Sequence, residues 1–150
     1  MKEYGDEAHR KGLKFSAKTT KGFPALVYTD KKIIEKVLMN LLSNAVKFTH
    51  KGDISVVFSL ATRPNFFSIE IKDTGIGIEI ENIEELLEPF KQKDSGLTRS
   101  FDGLGIGLSV TNIEVKRLGG ELIFKRDGES GTMVEVILPI SAPEPLKLAA

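Results

Sequence analysis

Asn40, Asn44 and Lys47 are spaced four and then three residues apart in the run Asn40-Leu41-Leu42-Ser43-Asn44-Ala45-Val46-Lys47-Phe48-Thr49. On a helix this spacing puts two amides and an ammonium on one face. An amide oxygen is a neutral ligand suited to Mg²⁺, and a nearby ammonium suits phosphate. Both Asn are costly in mid-helix, because their amides compete with the backbone for hydrogen bonds. That cost suggests a ligand, although a solvated polar face has the same pattern. A second feature is Asp73-Thr74-Gly75-Ile76-Gly77-Ile78. Its carboxylate can accept from the exocyclic amino group of adenine, which guanine would not satisfy. Gly75 and Gly77 would give a turn of positive φ that lets the backbone approach a flat ring. Alone, the segment also reads as an ordinary turn. A third is Gly103-Leu104-Gly105-Ile106-Gly107-Leu108 ahead of an apolar-striped helix. There, backbone N–H groups could face phosphate oxygens with a helix dipole behind them, or the glycines could act as a hinge.

The elements that must position these groups alternate between strands and helices. Tyr4 to Lys11 reads as the tail of a helix broken at Gly12, and Leu13 to Ala17 and Ala25 to Tyr28 as short strands. Thr29 or Asp30 can cap a long helix that ends near His50 to Gly52, with Gly52 as its C-cap. Ile33, Ile34, Val37, Leu38, Leu41, Leu42, Ala45 and Val46 give that helix an apolar face to lay on a sheet. Ile54 to Leu60 and Phe66 to Lys72 form a hairpin turned at Arg63-Pro64-Asn65. Residues 79 to 100 are polar and charged, a mobile loop with a short helix inside. Leu104 to Leu118 forms a helix stopped by Gly119-Gly120. Glu121 to Lys125 and Thr132 to Leu138 close a last hairpin around Asp127-Gly128. Together they predict a two-layer α/β (α+β) sandwich with helices on one face of a mixed, mostly antiparallel sheet.

Composition narrows the function classes. The 150 residues fit one domain with a core, and 41% are hydrophobic. Twenty-one basic residues balance 21 acidic ones, so no global field favours nucleic acid or an anionic membrane. No window approaches the roughly 18 apolar residues of a membrane span, and the N-terminus is not a secretory signal. The absence of cysteine excludes disulfides and thiolate metal sites and suits a cytoplasmic home. Leu108 and Ile80 stand where a dinucleotide fingerprint needs its third glycine, and no Gly-Lys pair exists for a Walker A loop. The His-Arg-Asp and Asp-Phe-Gly signatures of protein kinases are missing too.

With Gly128-Glu129-Ser130-Gly131-Thr132 near the end, the Asn helix and the two glycine segments resemble the N, G1, G2 and G3 boxes of the sensor histidine kinase catalytic domain. Leu87-Glu88-Pro89-Phe90-Lys91-Gln92-Lys93-Asp94-Ser95 resembles the F box of that domain's ATP lid. The resemblance covers Tyr4 to Ile140, in the family's order and spacing. It implies the Bergerat ATP-binding fold with a mobile lid, ATP and Mg²⁺ as cofactors, and phosphoryl transfer to a histidine. Asn44 would ligate Mg²⁺, Asn40 would orient the metal shell or phosphates, and Lys47 would contact a phosphate. Asp73, Gly75, Gly77 and Ile78 would hold adenine, with Thr132 reaching it through water. Gly103, Leu104, Gly105, Ile106, Gly107 and Leu108 would line the phosphates. Gln92 and Arg99 would neutralise the γ-phosphate, and Phe90 would pack the lid.

ATPases of the wider superfamily carry a water-activating Glu four residues before the metal Asn, and this chain has Asn40 there. Such a base is worth about 10²–10⁴-fold, so hydrolysis should be slow and the phosphate kept for a better nucleophile. The second glycine box departs from the usual pattern at Asp102 and Leu104, where Gly and Thr are common. A hydroxyl is lost and a negative charge gained beside the anion, so weaker nucleotide binding is expected. Phe90 to Ser95 with Thr98-Arg99 is similar to the lid of hybrid kinases. Neither His9 nor His50 has the acceptor's flanking residues, and both are expected on the surface near element ends. The acceptor would then lie in an upstream dimerisation and histidine-phosphotransfer domain, and the next partner would be a response-regulator receiver domain. Residues 1–12 would be the tail of a linker helix and 13–140 the ATP-binding domain. Residues 141–150 would be a linker with a tail of the kind expression vectors append, and Met1 would be similarly added. Such a chain should be a monomer that binds Mg·ATP without phosphorylating itself. A non-catalytic nucleotide-binding regulatory module and an anti-sigma-type serine kinase of the same fold are the alternatives.

Overall fold

In the computed structural model, residues 1–78, 83, 87, 106–126 and 130–141 are described. The elements are α1 (Lys2–Arg10), β1 (Lys14–Thr19), α2 (Lys31–Phe48), β2 (Asp53–Leu60), β3 (Phe66–Asp73), α3 (Ile106–Arg117), β4 (Glu121–Arg126) and β5 (Thr132–Pro139). The five strands lie in the order β1-β2-β3-β5-β4. Only the β1–β2 pair is parallel; the others are antiparallel, as expected of a mixed, mostly antiparallel sheet.

Alternation along β2, β3 and β5 sends Ile54, Val56, Phe67, Ile69, Ile71, Val134, Val136 and Leu138 into the core. The helices cover that face, with Val37, Leu41, Leu42, Ala45 and Val46 from α2 and Val115 from α3. Asp30 caps α2 by accepting from the N–H groups of Lys32 and Ile33 at 2.9 and 3.1 Å. The Arg63-Pro64-Asn65 turn closes the β2–β3 hairpin, with Asn65 at φ 62°. On α1, burial and then the carboxylates of Glu3 and Glu7 raise the Tyr4 hydroxyl pKa above its ordinary value, keeping it neutral.

Three expectations are corrected. Ala25 to Tyr28 is not a strand. The segment follows Pro24, leaves Leu26 and Tyr28 mostly exposed, and makes one sheet-like bond, from the Tyr28 N–H to the Ile140 carbonyl. The C-cap of α2 is Thr49 rather than Gly52. The Phe48 carbonyl is taken by the Ile76 N–H at 3.2 Å, and Gly52, at φ 115°, serves the turn into β2. The third helix starts at Ile106, so Gly107 lies within its first turn rather than ahead of it.

Candidate nucleotide site at one end of the sheet

α2 runs towards the sheet end where β3 finishes and β5 begins, while α3 starts near that end and runs away. Lys36 Nζ meets Glu114 Oε1 at 3.1 Å, holding the two antiparallel helices side by side. One turn further along α2, Asn40 faces α3. Its Nδ2 donates to Thr111 Oγ1 at 2.6 Å, and Thr111 donates to the Gly107 carbonyl at 2.8 Å. The expected polar face is therefore real: Asn40, Asn44 and Lys47 are half-buried, while Met39 and Ser43 beside them are exposed. It is not simply solvated, because part of the Asn40 amide is used between the helices. Lys47 Nζ lies 5.4 Å from the centre of the Phe48 ring.

Asp73 is the last residue of β3 and is 8% exposed. Its Oδ1 accepts from the Gly75 N–H at 2.9 Å, which folds the following turn back on the carboxylate. Directly across the ladder lies Thr132, the first residue of β5, itself 9% exposed. The two glycines of this turn serve different needs. Gly77 has φ 80° and packs on the Gly131 backbone, where a Cβ would lie 3.2 Å from the Gly131 nitrogen. Gly75 is not left-handed; it is required because a Cβ there would press on the Phe48 carbonyl and lie 2.8 Å from Asp73 Oδ1. The positive φ expected at both positions holds at Gly77 alone. At Gly107 a Cβ would come within 2.6 Å of Asn40 Oδ1.

The structure thus gathers the Asn40, Asn44 and Lys47 face, Asp73, Gly75, Gly77, Gly107 and Thr132 at one end of the sheet. Ile78 follows the Gly77 turn, and Leu108 lies in the first turn of α3, packed against the core. Phe90, Gln92, Arg99, Gly103, Leu104 and Gly105 lie outside the described residues, as do the side chain of Ile106 and the segment after Ser141. His9 and His50 are exposed, at the end of α1 and just beyond α2. Sequence reading missed Thr111, whose signal is a hydroxyl four residues after a glycine in mid-helix. It also missed Thr49, a hydroxyl that is 1% exposed at the α2 C-cap.

A sequence profile of the histidine kinase-, DNA gyrase B- and HSP90-like ATPases matches residues 29–142. Over 143 residues the chain is 36% identical to the autoinducer 2 sensor kinase/phosphatase LuxQ of Vibrio cholerae, covering 94% of this chain and 17% of that one. It is 32% identical over 138 residues to hybrid signal transduction histidine kinase B of Dictyostelium discoideum, covering 90% and 7%. The chain therefore spans only a small part of the curated relatives it matches. Among solved structures, the mycobacterial sensor histidine kinase MprB aligns with a TM-score of 0.73 at 26% identity, covering 95% of this chain and 97% of that one. Full-length ShkA, crystallised with AMPPNP, shares the fold at a TM-score of 0.79 and 23% identity, covering 95% and 28%. Among the described residues, no helix is long and apolar enough to cross a membrane.

Proposed function

Because the chain belongs to the histidine kinase-, DNA gyrase B- and HSP90-like ATPases, we propose that it is the ATP-binding catalytic domain of a two-component sensor kinase. It binds Mg·ATP and delivers the γ-phosphoryl group to a histidine on a separate dimerisation and phosphotransfer domain. The observation that carries this reading is the buried Asp73 carboxylate, set across from Thr132 and tied to the Gly75–Gly77 turn. It is a buried carboxylate at the end of β3, able to accept from an amino group on a flat base.

In this reading Asp73 accepts from the adenine amino group, and Thr132 reaches the ring through water. Asn44 ligates Mg²⁺, Asn40 serves the metal shell, and Lys47 contacts a phosphate. The glycines at 103, 105 and 107 admit the phosphates close to the backbone. Gln92 and Arg99 neutralise the γ-phosphate, and Phe90 packs the segment that carries them. The donor set suits a hard cation: amide oxygens, with Gly107 lacking the Cβ that would clash with the Asn40 amide. When bound, Mg²⁺ would offset charge on the phosphate oxygens. The protein itself contributes position and charge rather than covalent chemistry. As the bond from the γ-phosphorus to the bridging oxygen breaks, one to an imidazole nitrogen forms, and ADP leaves. Asn40, where ATPases carry a Glu, favours transfer to histidine over hydrolysis. The names of the relatives support a parent with further domains, so we assign the phosphotransfer domain and a receiver domain as partners and the cytoplasm as the working compartment.

Calorimetric titration with Mg·ATP tests the reading, with Asn44→Asp and Asp73→Asn as comparison variants. Micromolar-to-millimolar binding that is lost in Asp73→Asn is expected. No binding by a folded wild-type domain would sink it and favour a regulatory module without nucleotide. Phosphate on His9 or His50, seen by mass spectrometry after incubation with ATP, would break the expectation that the acceptor lies elsewhere.

A further inference from the structure

A carboxamide can be turned two ways, and the two differ in what they offer a ligand: the carbonyl accepts, whereas the NH₂ donates. At Asn40 the bond from Thr111 to the Gly107 carbonyl favours one of them. Thr111 has one hydroxyl proton, and it is given to the Gly107 carbonyl at 2.8 Å. Its oxygen can then only accept from Asn40, and it does so from Nδ2 at 2.6 Å. The reverse turn would need the Thr111 proton drawn off the Gly107 carbonyl and given to Asn40 Oδ1, so the bond back to the preceding turn would be lost. Gly107 completes the frame. A Cβ there would fall 2.6 Å from Oδ1, 3.1 Å from Nδ2 and 3.2 Å from Cγ, so the amide plane lies against bare backbone.

We propose that Thr111 is a positioning residue of the nucleotide site. By committing its proton to Gly107, it holds Asn40 with one N–H used internally and Oδ1 available as an acceptor. Asn40 then serves the cation and its water shell, rather than turning its NH₂ to a phosphate oxygen. This role rests on the Mg·nucleotide reading above and narrows it: the acceptor matters to the metal-loaded nucleotide and not to the bare one. Valine at 111 keeps the shape of the side chain, loses both hydrogen bonds, and leaves the amide to turn.

The test titrates wild type, Thr111→Val and Thr111→Ser with Mg·ADP, and again with ADP in chelator, and follows the Asn40 side-chain amide by NMR. Thr111→Val should bind Mg·ADP about tenfold more weakly, the loss of roughly one hydrogen bond, and bind bare ADP as wild type does. Thr111→Ser should bind both like wild type. In the wild type, one Asn40 amide proton should resonate downfield and show a cross-peak to the Thr111 side chain; both signs should vanish in the valine variant. Unchanged Mg·ADP affinity in Thr111→Val, or an equal loss for bare ADP, overturns the proposal. Should the valine variant not fold, the absence of that cross-peak in wild type overturns it alone. A folded wild type that binds neither form of ADP sinks the nucleotide reading and this role with it, while the NMR still reports how the amide is turned.

Discussion

The two ends of the sheet are built on opposite principles. At the end where β3 starts, Phe23 packs edge-on against Phe58 and Phe67, with ring centres 6.1 and 5.8 Å apart. Arg63 lies 4.0 Å from the centre of the Phe66 ring. Large side chains do the filling, and contact is spread over many atoms. At the end where β3 stops, the fill is backbone on backbone: Gly75 under the Phe48 carbonyl, and Gly77 on Gly131. The buried groups there include the polar Thr49, Asp73 and Thr132. Burying polar groups costs stability unless each is paired. The aromatic end therefore supplies stability, and the glycine end spends some of it on holding a carboxylate and close-set backbone in fixed places.

The largest effect should come from breaking the aromatic end. Phe67 is 2% exposed. Phe67→Ala should cost about 3–5 kcal/mol in urea unfolding through lost burial and a cavity. Nucleotide affinity, measured where the variant is folded, should stay within about twofold of wild type, a change below roughly 0.4 kcal/mol. A larger loss would mean that the two ends are coupled. Gly75→Ala attacks the other end. Its methyl meets the Phe48 carbonyl and Asp73, so about 1–3 kcal/mol of strain is expected in the same unfolding assay. Nucleotide affinity should fall by tenfold or more, about 1.4 kcal/mol, because relief of the clash moves the carboxylate. Similar stability losses with unchanged affinity in both variants would erase the distinction.

The same contrast explains what could be read from the chain. The long elements were legible because alternation in β2, β3 and β5 and the apolar stripe of α2 are local patterns. An N-cap at Thr29 or Asp30, which the structure places at Asp30, and Arg63-Pro64-Asn65 as a turn followed from residue chemistry. Ala25 to Tyr28 misled because an apolar run beside a turn looks like a strand, while pairing depends on partners far along the chain. At the site, the residue types were legible and their couplings were not. Nothing local shows that Asp73 faces Thr132, that Gly75 sits beneath Phe48, or that Thr111 engages Asn40. Each of those contacts joins segments brought together only by the sheet order and the antiparallel placement of α2 and α3.

Thr49 allows the finest test of the contrast, and its expected effect is the smallest. It is 1% exposed, and its hydroxyl has no hydrogen-bond partner among the described residues. It is the C-cap of α2, immediately after the carbonyl that anchors the Gly75–Gly77 turn. A buried hydroxyl without a partner costs about 1–3 kcal/mol, and valine matches the shape of threonine without that hydroxyl. Thr49→Val should therefore raise stability by about 1 kcal/mol, visible as an upward shift in Tm of roughly 2–4 °C. If polar groups at this end are kept for the site, as Asp73 and Thr132 are proposed to be, the same variant should bind nucleotide a few-fold more weakly. A gain in stability at the expense of binding is the pattern expected of a functional site. A stabilised variant with unaltered affinity would show that Thr49 lies outside the site, and would limit the glycine end's polar role to Asp73, Thr132 and the Asn40 face.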